Sequence, residues 1–276
     1  MRAPRIALLL PLLTVTCTGG EAMDLPRDLS QVRFDQLPED LPQAWRTQLE
    51  AELAGAPRMS LLDPRAVEAA RDLLLRVTWI DPESIAVRSA LPDGLQVDFR
   101  PRTPRLAVTR NGSLAGVVSA DGAVLPGGLP AAWTERYLSV PLDETRALGA
   151  PGSKVADSLL QEALAVWQEA DFLRDRVGLQ VASIERQSGY PREAAGVPPA
   201  LSFRLADGRE IAWGRAASSR DPFGVPLARK MERLRRVLEV YPDLAGVDRL
   251  VLDYPDLKLY DPKGEAIPLP ATLRDL

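Results

Sequence analysis

Apolar residues recur at helical spacing in four stretches of the chain and alternate with polar ones in several others, and the order of these two periods sets its outline. Leu41 to Ala54 present one apolar face through Trp45, Leu49 and Leu53 and stop at Gly55, which predicts a helix. A second helix is predicted from Asp63, placed to cap with Pro64 at the first helical position, through Val67, Ala70, Leu73 and Leu74 to Arg76. Val77 to Ile80, a turn at Asp81-Pro82, Ser84 to Arg88, a turn at Pro92-Asp93-Gly94 and the alternating Leu95 to Phe99 then read as short strands.

From Thr103 the texture changes. Leu106 to Thr109, Leu114 to Ser119 and Ala123 to Leu125 are strand-like and are separated by Asn111-Gly112 and Asp121-Gly122, dipeptides that supply the positive φ of two-residue hairpins. Ser153 is placed to cap a helix running to about Leu173, with Val155, Leu159, Ala163, Val166, Trp167 and Ala170 on one face. Val177 to Arg186, Ala200 to Leu205 and Arg209 to Trp213 read as strands, with Asp207-Gly208 turning the second into the third. Pro226 opens the last helix, read with Leu227, Met231, Leu234, Leu238 and Tyr241 inward and Arg229, Lys230, Arg233 and Arg236 outward. Arg249 to Tyr254 and Leu257 to Tyr260 are terminal strands, and prolines 262, 268 and 270 end regular structure. The fold class expected is α+β, with sheets and helices segregated and no βαβ rhythm.

Composition narrows the chemistry. The 276 residues are 46% hydrophobic and 26% charged, the balance of a soluble globular protein. A net charge of −4 gives no electrostatic reason to bind phosphates, so no nucleic-acid partner is expected. There is no histidine, which removes Ser-His-Asp and Cys-His catalysis and every imidazole metal site. Cys17 is the one cysteine, so no intramolecular disulfide or thiolate cluster forms. No acidic spacing around Asp121 or Asp207 matches a calcium loop, and no catalytic, cofactor-binding or metal-binding residue is expected. Asn111-Gly112-Ser113 has the pattern of a glycosylation acceptor but coincides with a turn signal. The five tryptophans lie on separate elements and read as core.

The first residues read as an address. Arg2 and Arg5 precede the uncharged run Ile6 to Thr16, a positive n-region before an apolar h-region. As a helix the run covers about 16 Å, against roughly 30 Å of bilayer hydrocarbon. Residues 1–22 are therefore an export signal or short anchor: cleavage after Ala22, lipidation at Cys17 and retention are all compatible with the residues. Each places the rest of the chain outside the cytoplasm, periplasmic or attached to the inner membrane.

Three stretches resemble the extracytoplasmic region of the FtsQ/DivIB cell-division family, over most of Leu61 to Tyr260. The helix Asp63 to Arg76 followed by Trp79-Ile80, Ile85 to Arg88, Pro92, Leu95-Gln96-Val97 and Arg102 to Ala107 is similar to the close of that family's POTRA module. Gly116 to Leu125 resembles the hairpin that opens its β domain. Leu201 to Gly214, then Lys230, then Leu250 to Tyr254 follow the order of the rest of that domain. The resemblance implies a POTRA-like domain at 30–102, a β domain with flanking helices at 103–261 and an irregular tail at 262–276. In two respects the chain departs from the family: it has the short segment Ile6 to Thr16 where members have a full transmembrane helix, and Val251-Leu252-Asp253 stands where members tend to have an acidic-Leu-Arg arrangement.

What the resemblance implies for function is a non-enzymatic scaffold that binds small bitopic coiled-coil division proteins of the FtsB/FtsL kind, without a cofactor. A terminal sheet edge suits that task, because its unpaired N–H and C=O groups accept an added strand. The edge is expected at Leu250 to Tyr260, with Leu250, Leu252, Tyr254, Leu257, Lys258, Leu259 and Tyr260 as partner-binding residues and Lys230 as a secondary contact. An exported or lipidated POTRA-containing scaffold for envelope transport or assembly is the alternative. A carboxylate-based glycan hydrolase is a third reading; it requires two acids facing each other across a cleft at about 5 to 9.5 Å.

Overall fold

The structure, a computed structural model, describes residues 6–8, 41–56, 63, 65–90, 94–127, 137–188, 198–219 and 224–274. The predicted signal, apart from residues 6–8, lies outside them. Two compact units are present: Met1–Thr103 with Leu125–Ala131, and Pro104–Val124 with Ala132–Leu276. Both mix helix and sheet, so the chain is α+β.

The first unit sets helices α1 (Gln43–Ala54) and α2 (Ala66–Arg76) beside a three-stranded sheet of β1 (Ile6–Leu8), β2 (Ala86–Ala90) and β3 (Gly94–Phe99), in the order β1-β3-β2. Helix α1 stops at Gly55, whose N–H donates to the carbonyl of Ala51. Asp63 precedes α2 and accepts the N–H of Arg65 at 2.9 Å. An aromatic cluster sits within the unit's largely aliphatic core. Trp45 and Trp79 stack with centroids 5.4 Å apart, and Phe99 meets Trp79 edge-on at 5.9 Å, geometries that suit the ring quadrupoles. Trp79 Nε1 donates to the carbonyl of Trp45 at 3.0 Å, so its one polar group is satisfied inside. The stretch Val77 to Ile80, expected as a strand, is a turn that keeps one bridge from Ile80 to Pro101. Val77, Trp79 and Ile80 are all buried there, and the turn is closed by the Ile80 N–H donating to the Val77 carbonyl at 3.1 Å.

The second unit is built on a nine-stranded mixed sheet, ordered β12-β11-β10-β9-β8-β7-β4-β5-β6. Its strands are β4 (Pro104–Arg110), β5 (Ser113–Ser119), β6 (Val124–Leu125), β7 (Leu138–Pro141), β8 (Val181–Arg186), β9 (Leu201–Leu205), β10 (Glu210–Gly214), β11 (Arg249–Val251) and β12 (Lys258–Tyr260). The β4–β5 hairpin turns on Asn111 and Gly112, with φ of 48° and 75°, as the Asn-Gly dipeptide predicts. Helix α3 (Ser158–Phe172) links β7 to β8, and α4 (Leu227–Val240) links β10 to β11; both strand pairs are parallel. The expected segregation of helix and sheet is thereby corrected, because two β-α-β crossovers are embedded in an otherwise largely antiparallel sheet. Each occurs once, among hairpins, so no alternation of strand and helix accumulates along the sequence.

Helix α3 is capped by Asp157 rather than Ser153, its Oδ1 accepting the N–H groups of Leu159 and Leu160 at 2.9 and 3.2 Å. A π-helical turn, Leu173–Val177, extends it and ends at Gly178, so β8 begins at Val181 rather than Val177. Both helices contribute to one core with the sheet, among them Leu160, Val166, Leu234 and Val237 against Phe203, Ile211, Trp213, Leu250 and Leu259.

Candidate functional site

Strand β12 ends the sheet, and its position follows from its neighbours. Asp207 and Gly208 turn β9 into β10, and α4 returns the chain so that β11 lies parallel to β10 with Ile211 beside Leu250. Strand β12 then runs antiparallel to β11, Leu259 opposite Leu250 and Tyr260 opposite Arg249. Leu250 and Leu259 are buried, which fixes register: a slip of one residue would carry Leu259 to the other face. On that other face an ionic row crosses four strands. Glu185 meets Arg204 at 3.3 Å, Arg204 meets Glu210 at 3.9 Å and Glu210 meets Arg249 at 3.7 Å. The next position in the row is Tyr260.

The loop between β11 and β12 is held from behind by one side chain. Arg233, on α4 and fully buried, points its guanidinium at three carbonyls of the loop: Nη1 donates to Leu252 at 3.0 Å and Tyr254 at 2.6 Å, and Nη2 to Pro255. Burial holds its pKa below the ordinary arginine value, opposed in part by Asp256 and Asp253. The rigid fork suits such a set of acceptors, since its donors sit on separate nitrogens whereas a lysine ammonium is a single compact charge. Gly214, at the end of β10, has φ of 82°, and a Cβ there would lie 2.6 Å from Cβ of Asp253. The β9–β10 register shifts at this point, between Ala212 and Gly214, so a glycine at a bulge lets the loop approach.

A polar cluster fastens the segment after β10. Glu162 on α3 accepts the Ala216 N–H at 2.5 Å and the Ser219 hydroxyl at 2.6 and 2.7 Å. Glu169, two turns on, accepts Trp213 Nε1 and the Ala217 N–H. Burial raises the Glu169 pKa above its usual range, while the Trp213 hydrogen bond and Lys230 pull it back. Lys230 donates to the Arg215 carbonyl at 2.9 Å and lies 5.2 Å from the Trp213 ring centroid. Both carboxylates therefore serve backbone and side-chain donors. Among the described residues there is no group of three or more Cys, Asp or Glu side chains able to hold a metal ion, and no helix long and apolar enough to cross a membrane.

These positions revise the sequence reading of the edge. Strand β11 is interior, between β10 and β12, so Leu250 and Leu252 do not lie on an edge. Leu250, Leu252, Leu257 and Leu259 all point into the core. Tyr254, Lys258 and Tyr260 reach the surface, with Lys258 Nζ 5.1 Å from the Tyr254 ring centroid. The assignment of Lys230 and Arg233 to the outer face of α4 is overturned, since they are 3% and 0% exposed. Residues 230, 233, 234 and 237 form the inward stripe, a spacing visible in the sequence but disguised by the two cations in it. The segment after β12, expected as an irregular tail, returns to pair Ala266 with Tyr260; the signal passed over is Asp261-Pro262-Lys263-Gly264, with Asp, Pro and Gly at the first, second and fourth positions of a type I turn. No family model matches the chain, and no curated protein matches it.

Proposed function

We propose that the chain is a non-enzymatic extracytoplasmic scaffold of bacterial cell division, of the FtsQ/DivIB kind, with a POTRA-like first unit and a β domain as its second. It meets small bitopic coiled-coil partners by strand addition at the C-terminal edge of the large sheet. The observation that carries this reading is the edge itself. Strand β12 is terminal in its sheet, its apolar side chains are anchored inward, and its loop is fixed by Arg233. Such a strand offers backbone groups in a defined register at little ordering cost. Side-chain recognition falls to Tyr254, Lys258 and Tyr260.

Proline substitution at Leu252 or Leu259 would test folding rather than docking, because both are core residues. The test uses a photo-crosslinking residue at the exposed Lys258, with Arg235 on the outer face of α4 as control. Capture of a small bitopic coiled-coil protein from position 258 and not from 235 is the expected result. Capture of envelope transport components at 258, or equal labelling from both positions, counts against a division role at this edge.

A further inference from the structure

The chain beyond β12 bears on the same edge. Asp261 to Gly264 closes a turn in which the Gly264 N–H donates to the Asp261 carbonyl at 2.9 Å, and Asp261 Oδ1 accepts the N–H groups of Lys263 and Glu265 at 2.9 and 2.8 Å. The chain then returns antiparallel to β12 with Ala266 opposite Tyr260. The Ile267 N–H donates to the Leu259 carbonyl and the Asp261 N–H to the Glu265 carbonyl, each at 2.9 Å. The Tyr260 carbonyl faces the other way and accepts from Asp248 in the sheet at 2.8 Å. The groups engaged by residues 265–267 are thus ones that an added strand would use.

The returning segment is built as a stopper. Ile267 lies against the core on the same side as Leu259 and fills the position of an inward side chain. Pro268 follows at once; its nitrogen would fall on the side away from β12 and has no proton to give, so a further strand cannot pair fully with the stopper itself. Leu273, 1% exposed in the turn Ala271–Leu273, pins the far end.

We propose that Glu265–Ile267 occupies, within the chain, the strand position on β12 that a partner takes, so that partner and tail compete for one edge. This rests on the reading of β12 as the docking edge. The competing partner segment is extended, supplies an N–H to the Leu259 carbonyl and a carbonyl to the Asp261 N–H, and carries an apolar residue where Ile267 sits. Two backbone hydrogen bonds and one inward side chain must be exchanged, an exchange of like for like.

Tyr260 and Ala266 flank no hydrogen bond of their own, an arrangement that places Cα atoms about 4.5 Å apart and within disulfide reach. The test compares photo-crosslinking from Lys258 in the exported chain, in Cys17→Ser/Tyr260→Cys/Ala266→Cys, and in Ile267→Pro, which deletes the donor to Leu259. Measured against its own reduced form and against Tyr260→Cys alone, which register the loss of the Tyr260 side chain, the oxidised double-cysteine chain is expected to lose capture of the bitopic protein at least tenfold, while Ile267→Pro captures several-fold more than the parent. Undiminished capture by the oxidised chain overturns the competition and leaves the docking edge standing, and failure of the disulfide to form overturns the pairing. Absence of bitopic-protein capture in the parent and in Ile267→Pro alike overturns the docking edge and the competition with it.

Discussion

Single residues set how closely β10 and the loop after β11 approach one another. Gly214 is the sharpest case, because two costs coincide there: a positive φ and a neighbour within 2.6 Å of an added Cβ. Gly208 has φ of 91° with nothing within 4 Å, so it isolates the first cost. Gly208→Ala is expected to lower stability by about 1 kcal/mol, and Gly214→Ala by about 3 kcal/mol because Asp253 must also move. Urea midpoints of the two variants, read against the parent, check the difference; equal losses would mean that the close approach has no energetic weight. Glu162 and Glu169 act similarly on the other side of Trp213, tying the segment after β10 to α3. None of these roles could be read from residue type alone, since a glycine before a loop and an acid on a helix are commonplace.

At the scale of elements, α4 is the part the sequence described half correctly. Its limits follow the pattern from Pro226, yet its inward stripe contains Lys230 and Arg233, and charge in that stripe turned the assignment toward solvent. The reason is satisfaction: Arg233 is fully buried because the β11–β12 loop presents carbonyls to it, and a one-dimensional pattern cannot show where those carbonyls will be. Arg233→Met keeps much of the apolar stem and removes the donors. It is expected to cost about 3 kcal/mol, from lost charge-assisted hydrogen bonds and carbonyls left without them. Hydrogen exchange should quicken at residues 254–260 before it quickens in β9 and β10. Uniform acceleration across the sheet would instead make Arg233 a general core residue. Strand β12 was legible from Leu257 to Tyr260, whereas β11 was mistaken for part of the edge because strand order is a tertiary property.

The whole molecule carries two cores of different character. The first unit depends on the Trp45, Trp79 and Phe99 cluster, and the second on aliphatic packing between α3, α4 and the sheet. The change of texture near Thr103 was visible in the sequence because hairpin dipeptides begin there, and the contact division falls between Thr103 and Pro104. That Pro126 groups with the first unit, its carbonyl accepting from Trp45 Nε1 at 3.3 Å, was not visible, as no local signal marks it. Trp79→Ala removes the centre of the aromatic cluster and is expected to cost the first unit about 3 to 5 kcal/mol. Amide protection should fall in α1, α2 and β3 and persist in β9 and β10. A parallel fall in both sets would show one cooperative body.

The stopper at residues 265–267 also has a place in time. Synthesis runs from the N-terminus, so β12 is made before the segment that pairs with it, and Leu273 later still. At ordinary elongation rates this interval is about a second, long compared with the microseconds in which a hairpin closes. Before residues 265–267 fold back, the Leu259 carbonyl and the Asp261 N–H can be answered only by water, so this side of the sheet is completed no earlier than its own tail.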